Sequence, residues 1–346
     1  MLTVLERLPP GFFDAQACEL PDILTGPTLI HLAGRRESTL FVSILLHGNE
    51  DTGLLAMQRV LRRYLEPDGE GLLPRTLALF IGNVAAAGKG LRRLDGQPDF
   101  NRIWPGTAEP EGPEVAMMRR VRDIMRERDL FASVDIHNNT GVNPHYACIN
   151  RLGDPFYHLA TLFGRTVVYF IRPTGVQSAA FAELCPAVTL ECGKVGDRSG
   201  VDHAAQYVDA CLHLAQIPDH PVAAHDIDLF HTVGIVKIPD EVRFGFAGEA
   251  LDVRLAPDLD HLNFRELPEG TALGWVSEEC ERCIEVRDEF GQMVGSQYFE
   301  VVDGELRTRV PLMPSMFTRD ERVIREDCLG YLMERYPLSG SLPPGS

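Results

Sequence analysis

The 346-residue sequence has no run approaching the ~20 apolar residues that a membrane-spanning helix requires, which excludes a helical membrane protein. Basic residues are the minority, 33 against 50 acidic, and the formal charge of −17 argues against a nucleic-acid backbone as the main partner. Eight cysteines are too sparse for a disulfide scaffold. The opening residues MLTVLERLPP lack the basic flank and apolar stretch of a signal peptide, so the expectation is reduced thiols in a cytoplasmic protein. A Gly-x-Ser-x-Gly elbow is missing, as is a Gly-x4-Gly-Lys-Ser/Thr phosphate loop, which removes two common enzyme signatures. There is no internal repeat. What is present is the composition of an ordinary folded protein, 45% hydrophobic and 24% charged. Its length suggests about two domains.

Five short apolar runs have the length and β-branched content of buried strands: Leu40–Leu46, Leu77–Ile81, Ser133–Ile136, Thr166–Ile171 and Ala187–Leu190. They do not alternate polar with apolar, as expected of strands covered on both faces. Helical spacing separates them. Leu54, Met57, Leu61, Tyr64 and Leu65 form one stripe after Thr52. Val115, Met118, Val121, Ile124 and Met125 form another after Pro113. Asp202–Gln216 reads as a third helix. Alternation of this kind predicts an α/β fold with a mostly parallel or mixed sheet flanked by helices over residues 1–218. After Pro218, short strand candidates follow one another (Val233–Ile238, Arg282–Arg287, Gln297–Val302), with a hairpin signal at Val302-Asp-Gly-Glu305. Residues 219–346 are therefore expected to form a smaller β-rich domain, and the tail 339–346 a flexible end.

Ligands of open α/β sheets bind beyond the carboxyl ends of the strands. Just past those ends stand His47, Asn83, His137 and Glu191. His47 and Glu50 are three residues apart where a strand turns into a helix, so both can reach one ion. With His137 from a second strand end, two imidazoles and a carboxylate make the ligand set of a catalytic zinc, one ion per chain. Glu191 is either a general base or a carboxylate capping the turn at Cys192-Gly193. The string Asp99-Phe-Asn101-Arg102 supplies a guanidinium suited to a carboxylate, and another Arg beside a metal could stabilise an oxyanion. Cys280-Glu-Arg-Cys283 lacks two further ligands, so neither zinc nor redox chemistry is expected there. His145 is near enough in sequence to touch a substrate, whereas the other histidines outside the site read as core or surface.

The ordered strings His47-Gly-Asn-Glu50, Asp99-Phe-Asn101-Arg102, Asp135-Ile-His137-Asn138 and Glu191 resemble the zinc carboxypeptidase clan. The short gap from Glu50 to His137 and the β-rich second domain are more similar to its succinylglutamate desuccinylase/aspartoacylase branch. That resemblance implies a carboxypeptidase-like fold, zinc on His47, Glu50 and His137, and Glu191 as catalytic acid/base. It implies that Asn101 and Arg102 hold a substrate carboxylate. It gives the oxyanion role to Arg92 of Arg92-Arg-Leu-Asp95, with Arg93 as a rival because Gly96-Gln-Pro98 lengthens the stretch that follows. The activity it implies is a zinc-dependent amidohydrolase, a deacylase of a small N-acylated amino acid or similar carboxylated amide, acting through a metal-activated water. The alternative is a metallocarboxypeptidase acting on short peptides. A non-catalytic binding protein is disfavoured, because neither a ligand nor Glu191 is missing. Asn138-Asn-Thr-Gly stands where the nearest relatives favour Asn-Thr-Thr, which leaves the substrate open. The partner is a small molecule; the sequence is compatible with a homo-oligomer.

Overall fold

The computed structural model describes residues 1–66, 69–248, 251–280 and 282–338; the tail 339–346 lies outside them. The chain divides into two compact units. The first comprises residues 1–138 and 145–228, and the second comprises 139–144 and 229–346.

The first unit carries strands β1 (Thr3–Leu5), β2 (Thr28–Leu32), β3 (Gly34–Ile44), β4 (Leu73–Ile81), β5 (Leu130–Asn139), β6 (Tyr146–Ile149), β7 (Thr166–Tyr169) and β8 (Ala187–Lys194). Their order is β1-β2-β4-β3-β5-β8-β6-β7. The sheet is mixed. β3 runs parallel to both β4 and β5, whereas β2 is antiparallel to β4 and β6 to β8. All five strand expectations for this unit fall on observed strands, and β1, β2 and β6 are additional.

The helices of this unit are α1 (Leu20–Ile23), α2 (Thr52–Leu65), α3 (Val84–Ala87), α4 (Pro113–Arg126), α5 (Asp154–Thr161), α6 (Gln177–Phe181) and α7 (Arg198–His213). In α2 the buried face includes Leu54, Met57, Leu61 and Tyr64, the spacing that puts side chains on one side of a helix. α2 lies against α7, where the Tyr64 hydroxyl donates to Asp209 Oδ1 at 2.6 Å. In α4, Val115, Met118, Val121 and Met125 are buried. Each large apolar side chain removed from water in this way contributes roughly 1.5–3 kcal/mol. α7 begins four residues before the expected Asp202. Asp197 caps it, its carboxylate accepting the Ser199 N–H at 2.9 Å, and this ends the preceding loop early.

In the second unit, β9 (Asp228–Lys237) pairs antiparallel with β13 (Glu285–Arg287) and β17 (Gly330–Arg335), and β17 with β16 (Met313–Ser315). A separate five-stranded sheet has the order β10 (Phe244–Gly245), β11 (Val253–Leu255), β12 (Ala272–Val276), β15 (Glu305–Thr308), β14 (Phe299–Val302). The expected hairpin joins β14 to β15. Asp303 and Gly304 at its tip both adopt positive φ, 50° and 77°, as a two-residue hairpin turn requires. The segment 139–144 is tied into this unit by its own polar groups. Asn143 Oδ1 accepts the Met316 N–H at 2.9 Å, and the Thr140 and Thr318 hydroxyls meet at 2.8 Å. Cys280 and Cys283 are joined as a disulfide, against the expectation of eight reduced thiols; the other six cysteines are free. The Cys-x-x-Cys spacing lets one turn bring both sulfurs together without any metal.

The loop between β3 and α2 is the most constrained stretch of the first unit. Leu45, fully buried, adopts a left-handed φ of 53°, a conformation that costs a non-glycine residue about 1–3 kcal/mol. Gly48 lies so close to α3 that an added Cβ would be 2.2 Å from Ala87 N. We expect Gly48→Ala to lower stability by roughly 1–3 kcal/mol, the range for forced overpacking. Urea unfolding measures this, and an unchanged midpoint would show that the loop is free to move.

Candidate active site

The turn after Leu45 closes when the Glu50 N–H donates to the His47 carbonyl at 3.1 Å, which sets the two side chains next to each other. His47 Nδ1 then lies 2.7 Å from Glu50 Oε1. β5 is the parallel neighbour of β3, with Ser43 opposite Asp135, so the end of β5 delivers its side chains to the same place. His137 Nδ1 lies 2.7 Å from Glu50 Oε2, and the Asn138 N–H donates to that same oxygen at 3.1 Å. One carboxylate therefore bridges two imidazoles. The three residues are buried, and their ligand atoms lie within 4.8 Å of one another. Among the described residues this is the only such group of metal-capable side chains.

Both imidazoles are gripped from behind. His47 Nε2 is 3.1 Å from Asp99 Oδ1, and His137 Nε2 is 2.7 Å from Asp135 Oδ2. Ser43 Oγ in turn donates to Asp135 Oδ1 at 2.7 Å. A carboxylate on the far nitrogen of each histidine is the usual support of a metal ligand, because it fixes the ring and raises its basicity. Sequence reasoning misses the roles of Asp99 and Asp135. Asp135 was legible, because positions two apart on a strand share a face and Asp135-x-His137 has that spacing.

Arg92 completes the cluster. Its Nε and Nη2 donate to Asp99 Oδ2 at 3.2 and 2.9 Å, and its Nη1 is 3.7 Å from Glu50 Oε1. Arg93 turns elsewhere, its Nη1 donating to the Gln97 carbonyl at 3.2 Å in a cleft also lined by Glu109 and Glu114. Asn101 is buried. Its side-chain oxygen accepts the Gln177 N–H at 2.9 Å, and its Nδ2 is 3.1 Å from His137 Nε2. Arg102 follows it and donates from Nη1 to the Asn101 carbonyl at 2.9 Å.

Glu191 is buried on β8, the strand beside β5, opposite Tyr146. Asn138 links the two strand ends by donating from Nδ2 to the Gly193 carbonyl at 3.0 Å and to Thr52 Oγ1 at 2.9 Å. Burial, then the charges of Glu191 and Glu50, hold the Cys192 thiol well above its ordinary range, so both carboxylates act on one neighbourhood. His145 is taken up by an imidazole pair, its Nδ1 3.0 Å from His203 Nδ1, with its ring against Gly193.

The electrostatics favour a cation. Burial alone would raise Glu50 and Asp99, yet the His47 and His137 imidazoles hold Glu50 far below the carboxylate range, and Arg92 followed by His47 does the same for Asp99. Burial would lower His137, but Asp135 and Glu50 raise it well above an ordinary imidazole. Three carboxylates (Glu50, Asp99, Asp135) converge on the two imidazoles, and without an ion the charges of Arg92 and of a protonated His137 offset part of them. A dication held by neutral imidazoles would take the place of that imidazolium charge. Two imidazoles and one carboxylate with convergent donor atoms fit zinc.

The fold recurs in known structures. A succinylglutamate desuccinylase from Chromobacterium violaceum is 19% identical, with a TM-score of 0.54 over 88% of this chain and 86% of that one. A succinylglutamate desuccinylase/aspartoacylase from Rhodobacter sphaeroides reaches a TM-score of 0.58 at 16% identity over 89% of each chain. Murine aminoacylase 3 reaches 0.55 at 15% identity, over 88% of this chain and 97% of that one. No curated protein sequence matches the chain. The family model of the succinylglutamate desuccinylase/aspartoacylase catalytic domain matches residues 37–216, just over half of the sequence and every residue of the cluster above, and the chain belongs to that family.

Proposed function

We propose that the protein is a zinc-dependent amidohydrolase that removes the acyl group from a small N-acylated amino acid or a similar carboxylated amide. The observation that supports this most is the convergence of His47 Nδ1, Glu50 and His137 Nδ1, with a carboxylate behind each imidazole. Membership of a family that includes desuccinylases supports the same reading. The described residues include no helix long and apolar enough to cross a membrane. A cytoplasmic location is our reading; six free thiols agree with it and the Cys280–Cys283 disulfide does not.

In this proposal His47, Glu50 and His137 hold the zinc, which when bound supplies a Lewis acid for polarising the acyl carbonyl and lowering the pKa of water. Glu191 takes a proton from the attacking water and returns it to the leaving nitrogen, so one carboxylate serves as base and then acid. Arg92 faces the ligand cluster and is assigned to the oxyanion, where a fixed positive charge is worth most in a water-poor site. Asp99 holds its guanidinium in place. Arg102 and the Asn101 amide are assigned to the substrate carboxylate.

Three measurements test this reading. Elemental analysis of purified protein is expected to give one zinc per chain, and His47→Ala is expected to lose it; undiminished zinc in the variant would remove His47 from the site. Glu191→Gln is expected to keep zinc and fold while losing activity by roughly 10²–10⁴-fold, the usual contribution of a general acid/base. Near-wild-type turnover would place the proton transfer elsewhere. A panel of N-acetyl, N-succinyl and longer peptidyl substrates should favour the small amides, and Arg102→Ala should weaken binding of carboxylate-bearing ones by about 1.5–3 kcal/mol while sparing an analogue without the carboxylate. Preference for the longer peptides would replace the deacylase with a carboxypeptidase.

A further inference from the structure

Gln177 stands out among residues the proposed chemistry does not use. It is fully buried at the first position of α6, and its amide makes an asymmetric set of contacts. The backbone N–H donates to Asn101 Oδ1 at 2.9 Å, and the side-chain Nε2 donates to Ser133 Oγ at 2.7 Å. Its Oε1 is buried and has no hydrogen-bond partner. An unsatisfied buried carbonyl is costly, and an apolar side chain of similar size would avoid that cost.

The contacts lead to the proposed metal site. Ser133, Asp135 and His137 occupy alternate positions of β5 and share one face. Asn101, held by the Gln177 N–H, has its Nδ2 against His137 Nε2, the nitrogen that also meets Asp135. The turn before Gln177 is fastened to the same loop. The Trp104 N–H donates to the Gly175 carbonyl at 2.9 Å, and a Cβ on Gly175 would come within 2.1 Å of the Arg102 carbonyl oxygen. The side chain of Gln177 is thus anchored on the strand that carries His137, while its backbone presents a donor to the residue that touches the far edge of the His137 ring.

We infer that Gln177 is a positioning residue for the metal site. By joining Ser133 to Asn101 it fixes the rotation of the Asn101 amide, keeping the oxygen toward α6 and the NH₂ toward His137. With the Asn101 oxygen kept away from His137, the Nε2–H of that imidazole donates to Asp135 alone, and the Nδ1 lone pair is left to aim at the ion. This inference rests on the metal-site reading above but not on the identity of the substrate.

Cobalt(II) alone is the probe, read through its affinity in chelator competition and its visible absorption band, neither of which needs a substrate. Gln177→Leu is expected to bind cobalt more weakly, by less than the roughly 10–100-fold that losing a direct partner of a metal ligand costs, and to shift the band. Ser133→Ala is expected to change both in the same direction. The double variant is expected to be no worse than the weaker-binding single variant, because the two residues act through one contact. Ser133→Ala removes one oxygen and carries the test if Gln177→Leu fails to fold. Wild-type affinity and band in these variants, or fully additive losses, would overturn the inference while leaving the zinc site standing. Failure of the wild-type protein to bind cobalt would overturn the metal-site reading and this inference with it.

Discussion

Glu50 offers one carboxylate oxygen to each of two imidazoles at 2.7 Å, and the surrounding structure is arranged to keep that bridge in place. The bridge needs two strand ends side by side, which the parallel pairing of β3 with β5 provides. It needs a turn tight enough to bring positions 47 and 50 together, which Leu45 in a left-handed conformation and Gly48 pressed against α3 make possible. A buried carboxylate between two rings would be costly without positive charge nearby, and here the imidazoles, Arg92 and the proposed zinc supply it.

The outer contacts explain why a short His-x-x-Glu string becomes a site in this chain. By itself the string fixes only that two side chains are close. Asp99 and Asp135 fix which nitrogen of each ring faces Glu50, since the carboxylates occupy both Nε2 positions. Asp99 has a second function, because its other oxygen holds Arg92. One buried carboxylate therefore couples the orientation of a proposed ligand to that of the residue proposed to meet developing charge. A change at Asp99 disturbs both at once, so its effects cannot be assigned to either function singly.

The parts of the fold that were legible are those whose signal is local. Runs such as LFVSILL and stripes such as Leu54-Met57-Leu61 announce buried strands and a covered helix face, and the observed elements lie there. β2 escaped because TLIHL carries a polar residue, His31, in a five-residue strand that is buried throughout. The early start of α7 depends on the Asp197 cap, a one-residue signal weaker than the stripe that follows. The second unit begins at 229, where the expectation was 219, and its segment 139–144 is sequence-adjacent to His137 but held by contacts to residues around 316–318. Such long-range partners leave no periodicity to read. In the site, His47, Glu50 and His137 were legible from strand-end placement and come together, whereas Gln177 carries no local mark because its meaning lies in Ser133 and Asn101, both far from it in sequence.

The same contrast separates stability from chemistry. The apolar core of the first unit is redundant: many buried side chains each contribute a small share, and no single one determines the fold. The polar cluster is the reverse. Ser43, Asp99, Asn101, Asp135 and Gln177 all converge on the same few groups, and together they spend stability on buried charge and one unsatisfied carbonyl. Such an arrangement persists when orientation matters more than burial. That is the expectation for a catalytic ion, whose ligands must be fixed to within a few tenths of an ångström before any substrate arrives.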